Sequence, residues 1–126
     1  MNPKAVDFIA YTVNDMDKAE AFYRDTLGLE VSAPRGEPGT RGNGYMEFEC
    51  GGVSIGLTKM PPMPNAAMAL AVDDINETIA ELKAQGVEVG MEPVETGGCF
   101  IAAISDPEGN QIIIHQRKDG TFGQSG

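Results

Sequence analysis

The sequence contains one pattern twice, and this internal repeat limits the possible folds more than any other feature. Each copy begins with an apolar segment typical of a strand and continues with an acidic helix cap and an apolar stripe at helical spacing. A glycine that would end the helix follows in both copies. Val72 lies 59 residues after Val13, and Gly86 lies 58 residues after Gly28. These nearly constant offsets indicate two copies of one structural unit.

Each copy predicts the element order β-α-β-β-β, because two further strand patterns joined by a glycine-containing turn follow the βαβ pattern. The predicted strands are residues 6–13, 29–31, 45–50 and 53–58 in the first copy, and 68–72, 87–89, 100–104 and 111–115 in the second. The sequence therefore predicts an α+β fold with two tandem βαβββ modules in a single domain, residues 1–126. Module one covers about residues 5–59 and module two about residues 67–118.

Two segments interrupt the repeat. The glycine- and proline-rich stretch from Pro34 to Gly44 predicts a loop, which is either a lid over a site or a disordered connection. The proline-containing stretch of about residues 60–66 is predicted to link the two modules. The residues after Arg117 are predicted to fray.

Charge and composition exclude several classes of function. Nineteen acidic and nine basic residues give a net charge of −10, which disfavours nucleic acid and membrane surfaces as partners. No apolar run is long enough to span a bilayer and the first residues do not resemble a secretory signal, so a cytoplasmic location is expected. The two cysteines form no CxxC pair and are expected to be reduced. A single histidine leaves few options for a transition-metal site.

Several motifs resemble those of one known superfamily. They are the segment Val13 to Ala19, the pair Phe22-Tyr23, the triplet Leu27-Gly28-Leu29, the segment Val72 to Ile75 and the turn Asp106 to Asn110. In order and spacing, from Val6 to Arg117, these motifs resemble the vicinal oxygen chelate superfamily, which includes glyoxalase I, bleomycin and fosfomycin resistance proteins and extradiol dioxygenases. The resemblance implies modules whose sheets curl around a cavity, and it implies a homodimer.

The resemblance also locates the positions at which metal-dependent members bind their ion. One ligand lies on the first strand and one on the last strand of each module, which places the four positions at Phe8, Gly56, Ala67 and Ile113. None of these residues can bind a metal ion through its side chain. The resemblance therefore implies a cavity without metal or other cofactor, as in members that bind and sequester antibiotics.

Alternation along the strands predicts which residues face this cavity, because successive side chains point to opposite sides of a sheet. The small residues among them leave space for an organic ligand, unless large side chains of the partner module fill that space. The predicted ligand-binding residues are Phe8, Ala10, Thr12, Tyr45, Glu47, Ser54, Gly56, Thr58, Ala67, Ala69, Ile113 and His115.

Two of these residues are candidate catalytic groups. Glu47 is either a general base in the cavity or a solvated carboxylate near the sheet edge. His115 is either an acid/base group at the cavity mouth or a strand-end residue half in solvent. Cys99 has no base near it in the sequence, which favours a structural thiol over a reactive one. A relocated metal site would need Glu47, Glu49, His115 and Cys99 to come together.

The leading hypothesis is a metal-independent protein that binds a small organic compound, apolar or cationic, with drug or toxin sequestration and antibiotic resistance as the family precedent. The alternative is a glyoxalase-like or dioxygenase-like enzyme with a metal-free or relocated active site. A third possibility is a regulatory domain that uses the fold only as a dimer scaffold.

Overall fold

The computed structural model describes residues 1–33, 44–59 and 64–123, and these form one curled, open sheet of eight strands with two helical segments. Most of the predicted loop from Pro34 to Gly44 and residues 60–63 of the predicted linker lie outside the described residues. The strands are β1 (Ala5–Thr12), β2 (Glu30–Ala33), β3 (Tyr45–Cys50), β4 (Val53–Thr58), β5 (Ala67–Ala71), β6 (Glu88–Glu95), β7 (Cys99–Ser105) and β8 (Gln111–Arg117).

The strand order across the sheet is β2-β3-β4-β1-β5-β8-β7-β6, so the two halves of the sheet mirror each other. In each half the first strand pairs in parallel with the last strand, β1 with β4 and β5 with β8. The antiparallel pair β1 and β5 joins the halves within one chain. This architecture confirms the predicted α+β fold with a curled sheet.

The helices begin at the N-cap residues and end close to the glycines that the sequence predicts. Helix α1 (Met16–Ala21) continues as a π-helical segment (Phe22–Thr26), and α2 spans Ile75–Ala84. The side chains of Asp15 and Asp74 accept hydrogen bonds from backbone N–H groups of the first turns, as N-caps do. No helix among the residues placed by the structure is long and apolar enough to cross a bilayer.

Both helices pack on the same face of the sheet. Helix α2 covers an apolar cluster that includes Ala102, Ile104 and Ile114, while Met16 of α1 packs on Met46, Phe48 and Leu57. These side chains alternate along their strands with those of the opposite, concave face. The helices therefore leave the concave face to form the site.

The middle of the concave face is filled by an apolar cluster of side chains from both halves of the sheet. Three small residues, Ala10, Ala67 and Ala69, allow the larger side chains to reach across. The buried members are Phe8, Ala10, Ala67, Ala69, Ile101 and Ile113. Open space on this face consequently lies beside the cluster.

A β-bulge interrupts β1 close to this cluster. The pairing register of β1 and β5 shifts between Val6 and Phe8, which makes Asp7 the extra residue. A bulge bends the strand and redirects side chains that simple alternation would place on opposite faces. As a result Asp7 and Phe8 both contact His115 on β8.

A comparison of two glycines tests whether the left-handed backbone conformation of Gly86 is needed where α2 ends. Gly86 has φ +83°, whereas Gly90 in β6 lies outside the left-handed region, and a Cβ atom would meet nothing within 4 Å at either residue. We expect Gly86→Ala to lower the free energy of unfolding by about 1 kcal/mol. Gly90→Ala should leave it unchanged or slightly raised. Equal losses in urea unfolding of the two variants would contradict this account of the helix end.

Candidate functional site

A cavity of about 410 Å³ opens on the concave face beside the apolar cluster. It lies where the last residues of β4 and β8 face the first residues of β3 and β7, because Tyr45 pairs with Thr58 and Ile101 pairs with His115. The turn from Asp106 to Asn110 holds β7 and β8 in this register. The cavity is lined by Phe8, Tyr45, Glu47, Thr58, Thr96, Gly98, Cys99, Ile101, His115 and Arg117.

Five of the predicted ligand-binding residues line this cavity, namely Phe8, Tyr45, Glu47, Thr58 and His115. The other predicted residues lie elsewhere. Four of them, Ala10, Ala67, Ala69 and Ile113, belong to the apolar cluster. Ser54 and Gly56 are buried but are not among the lining residues, and Thr12 is exposed, with its N–H donating to Asn65.

The carboxylate of Asp7 contacts the imidazole of His115 on the side away from the cavity. Nδ1 of His115 lies 2.6 Å from Oδ2 of Asp7, and both residues are buried, with exposed fractions of 6% and 1%. The backbone N–H of Gly123 donates to Oδ1 of Asp7, and the Arg117 guanidinium lies 3.5 Å from the same oxygen. The prediction that the chain frays after Arg117 is therefore wrong for residues up to Gly123.

This arrangement stabilises a buried ion pair. Burial alone would raise the pKa of Asp7, but hydrogen bonds from His115 and Gly123 hold it below its usual value. Burial alone would lower the pKa of His115, but its hydrogen bonds with Asp7 and Cys99 and the charges of both raise it to about 9. At neutral pH His115 is an imidazolium beside an ionised Asp7.

Cys99 lies on the cavity side of His115. Cys99 lies diagonally across the β7–β8 pair from His115, since Cys99 pairs with Arg117 and Ile101 pairs with His115, and both side chains line the cavity. The Thr96 hydroxyl lies 3.0 Å from Sγ of Cys99. Burial would raise the pKa of the thiol, but the hydrogen bonds with His115 and Thr96 lower it below its ordinary value.

Tyr45 and Glu47 form the opposite wall of the cavity. The hydroxyl of Tyr45 donates a hydrogen bond to the carboxylate of Glu47. Removal from water and the nearby carboxylate raise the pKa of Tyr45, so its hydroxyl stays protonated. A Cβ atom at Gly56 would lie 3.0 Å from the Tyr45 hydroxyl oxygen, which shows that this glycine lets the tyrosine approach β4 closely.

The residues present at the four metal positions do not fit the ion that metal-dependent members of the superfamily bind. Phe8, Ala67 and Ile113 pack together in the apolar cluster, and Gly56 is covered by Tyr45. Within residues 1–33, 44–59 and 64–123, no group of three or more His, Cys, Asp and Glu side chains could hold a metal ion, so the relocated site is not assembled there. Asp7 holds Nδ1 of His115 and does not line the cavity, whereas Cys99 does.

Several residues that line the cavity were not predicted from the sequence, and Asp7 was not predicted either. Asp7 carries one signal, a carboxylate inside the apolar segment of residues 6–13, where an unpaired charge would be unfavourable. Extending the alternation of β8 by one step would have added Arg117. Nothing local in the sequence indicates that Cys99 lies near His115, because β7 and β8 are brought together only by their pairing.

Because His115 is the only histidine of the chain, its titration can be followed by NMR without assignment. We expect the imidazole to stay protonated at pH 7.5 and to titrate at about pH 9. Asp7→Asn should lower this pKa, because it removes the negative charge and the charged hydrogen bond. A pKa that is the same in the wild type and in Asp7→Asn would contradict the ion pair.

The same ion pair predicts a pH dependence of stability, best measured in Cys99→Ala, where no thiol titrates beside His115. The pKa of His115 is raised above its usual 6.5. As long as Asp7 stays ionised, the contribution of the ion pair to the free energy of unfolding should therefore be complete below about pH 6.5 and be lost as the pH rises through the folded-state pKa of His115. In Asp7→Asn/Cys99→Ala this loss should be smaller.

Comparisons with known proteins agree with this fold. A family model described as the Glyoxalase/Bleomycin resistance protein/Dioxygenase superfamily matches residues 5–114. A probable lactoylglutathione lyase of Vibrio parahaemolyticus is 31% identical, with 90% of this chain and 91% of that protein covered. A probable chloroplastic lactoylglutathione lyase of Arabidopsis thaliana is 30% identical over 86% of this chain, but the match spans only 35% of the plant protein.

A solved structure adds a likeness in fold alone. The Mn(II)-bound glyoxalase from Novosphingobium aromaticivorans superposes with a TM-score of 0.62 at 24% identity, covering 98% of this chain and 42% of that one. The match of the family model over most of the chain, with the repeated βαβββ topology, establishes the family. The chain belongs to the Glyoxalase/Bleomycin resistance protein/Dioxygenase superfamily.

Proposed function

We propose that this chain is a metal-independent protein that binds a small organic compound in the cavity of its concave face. The observation that carries the proposal is the exchange of the family's metal positions for a packed apolar cluster, next to an open cavity. The volume of about 410 Å³ falls within the range typical of small-molecule sites, about 300–1,000 Å³.

The walls of the cavity favour an apolar ligand with one polar end. The rings of Phe8 and Tyr45 and the side chain of Ile101 supply apolar surface. His115 and Arg117 place positive charge on one side of the cavity. A carbonyl or carboxylate oxygen would face this charge while the rest of the ligand contacts the apolar walls.

The cavity is less suited to a cationic ligand, which is the other ligand class expected from the sequence. Glu47 is the acidic residue that lines the cavity, and its carboxylate already accepts the hydrogen bond of Tyr45. A cation would also approach the positive charges of His115 and Arg117. Between the two classes, the charges of the cavity favour the apolar compound.

A second candidate function is catalysis in the same cavity, as in a glyoxalase-like or dioxygenase-like enzyme without metal. The observation that favours it is the buried pair of Asp7 and His115, which holds a proton on a group that faces the cavity. Relatives of this chain carry the name lactoylglutathione lyase. In this alternative Glu47 accepts a proton and His115 donates one.

Two tyrosines with similar exposure provide a matched test of the binding site. The exposed fractions are 38% for Tyr45, which lines the cavity, and 40% for Tyr11, which does not. After treatment with EDTA, the protein is screened by thermal shift against natural-product antibiotics, aromatic ketones and cationic amines. A bound ketone or antibiotic should raise the melting temperature by several degrees without metal.

For a compound that binds, we expect Tyr45→Ala to weaken affinity about 10-fold or more, because one apolar wall is lost. Tyr11→Ala should leave the affinity unchanged. Binding that requires an added divalent ion, or equal effects of the two substitutions, would contradict the proposed site.

The catalytic alternative is tested by assaying the EDTA-treated protein for formation and breakdown of lactoylglutathione. The binding hypothesis predicts no turnover. If turnover occurs, Glu47→Gln and His115→Ala should each lower kcat about 100-fold or more, as expected for a general base or acid. Turnover at an unchanged rate in both variants would exclude these two residues as the acid/base groups.

A further inference from the structure

Three side chains from three different strands come together at the cavity. Asp7 comes from the bulge of β1, His115 from β8 and Cys99 from the start of β7. Asp7 holds Nδ1 of His115, so Nε2 is the ring nitrogen left for the cavity, where Cys99 of the neighbouring strand also lies. The carboxylate end is buried, whereas Cys99 lines the cavity.

Local hydrogen bonds fix the position of the thiol. The backbone N–H of Thr96 donates to the carbonyl oxygen of Cys99 at 2.8 Å, and the N–H of Cys99 donates to Oγ1 of Thr96 at 3.1 Å. Cys99 also lies opposite Arg117 in the β7–β8 register. Sγ is therefore held beside His115 and the cavity wall.

We propose that Cys99, His115 and Asp7 act as a nucleophilic triad that captures α,β-unsaturated carbonyl compounds as covalent thioether adducts. In this arrangement Cys99 is the nucleophile, His115 is the proton donor and Asp7 is a positioning residue that orients His115. The inference deepens the proposed function, because it rests on an organic compound entering the same cavity.

The reaction transfers one proton and needs no oxidant, reductant or further reactant. The Cys99 thiolate attacks the β-carbon, and a carbon–sulfur bond forms while the π bond between the α- and β-carbons breaks. The electron pair of that bond moves into the enolate. The α-carbon then takes the proton from Nε2 of His115, which leaves a neutral imidazole and a thioether. The product is the saturated carbonyl compound bound to Cys99.

The backbone N–H of Cys99 already has a hydrogen-bond partner, and this favours conjugate addition over acyl transfer. Acyl transfer places an oxyanion on the attacked carbon, where backbone N–H groups must stabilise it. The N–H of Cys99 is already bonded to Thr96 Oγ1. Conjugate addition instead moves the negative charge to an oxygen farther from sulfur, and Arg117 on the cavity wall carries a positive charge for it.

The lowered pKa of Cys99 and the raised pKa of His115 support the same charge state, a thiolate beside an imidazolium. Of the charged groups around this pair, Asp7 and Arg117 flank the imidazole, while Lys118 lowers the pKa of the thiol. Glu47 faces the pair across the cavity.

The second cysteine of the chain is an internal control. Cys50 is exposed at the end of β3 and does not line the cavity. The variant Cys50→Ser retains only Cys99, and Cys99→Ser retains only Cys50. Both are treated with methyl vinyl ketone at pH 7, and adduct formation is followed by intact-protein mass spectrometry. We expect Cys99 to react about 10-fold or more faster than Cys50.

Substitutions in the Cys50→Ser background test the roles of the other two residues. His115→Gln should slow adduct formation about 10-fold or more, and Asp7→Asn should slow it less. Iodoacetamide requires a thiolate but no proton donor, so His115→Gln should slow the methyl vinyl ketone reaction more than the iodoacetamide reaction. Equal slowing of both reactions would overturn the proton-donor role.

If His115→Gln does not fold, the pH dependence of the Cys50→Ser protein decides the matter. The triad predicts that the rate of Cys99 alkylation levels off at a lower pH than the rate of an ordinary thiol does. A Cys99 rate no faster than that of Cys50, or an ordinary pH profile, would overturn the triad. If saturated 2-butanone or the screening compounds still stabilise Cys99→Ala in that case, the binding function stands and only the covalent step fails.

Discussion

The buried carboxylate of Asp7 is the constraint on which the site depends. A carboxylate removed from water is unfavourable unless it is neutralised and hydrogen-bonded. Asp7 meets this requirement with His115, Arg117 and the N–H of Gly123, which belong to β8 and to the segment that follows it. Since Asp7 lies on the strand that joins the two halves of the sheet, its charge fixes the position of the imidazole relative to both.

The two modules share a topology but not their chemistry. Thr58 at the end of β4 and His115 at the end of β8 occupy equivalent places in the repeat, and both line the cavity. Module one contributes the apolar and hydrogen-bonded wall of Tyr45 and Glu47, whereas module two contributes the histidine and the thiol. The repeat thus conserves the scaffold while the two ends of the cavity differ in charge and reactivity.

Most of the fold could be predicted from the sequence, because alternation, helix caps and glycine stops are local signals. The apolar stripe beginning at Ile75, its N-cap at Asp74 and the alternation of Ile113, Ile114 and His115 all correspond to the structure. The site was predicted less completely. Asp7 and His115 are 108 residues apart, and only the bulge in β1 turns the carboxylate toward the imidazole.

Cavity volume was also difficult to predict from residue size. The small residues Ala10, Ala67 and Ala69 indicated open space, but Phe8 and Ile101 fill the space above them. Whether a small residue leaves a cavity depends on which neighbours reach across it, and this is a property of the curled sheet as a whole.

The hydrogen bond from Gly123 to Asp7 gives the segment after β8 a role in the charge balance of the core. Arg117 donates to the carbonyl oxygen of Gly123, so the same residue closes a loop around the carboxylate. Order in this segment is consequently linked to the ionisation of Asp7. A proton bound at the carboxylate therefore weakens the attachment of the segment to β1.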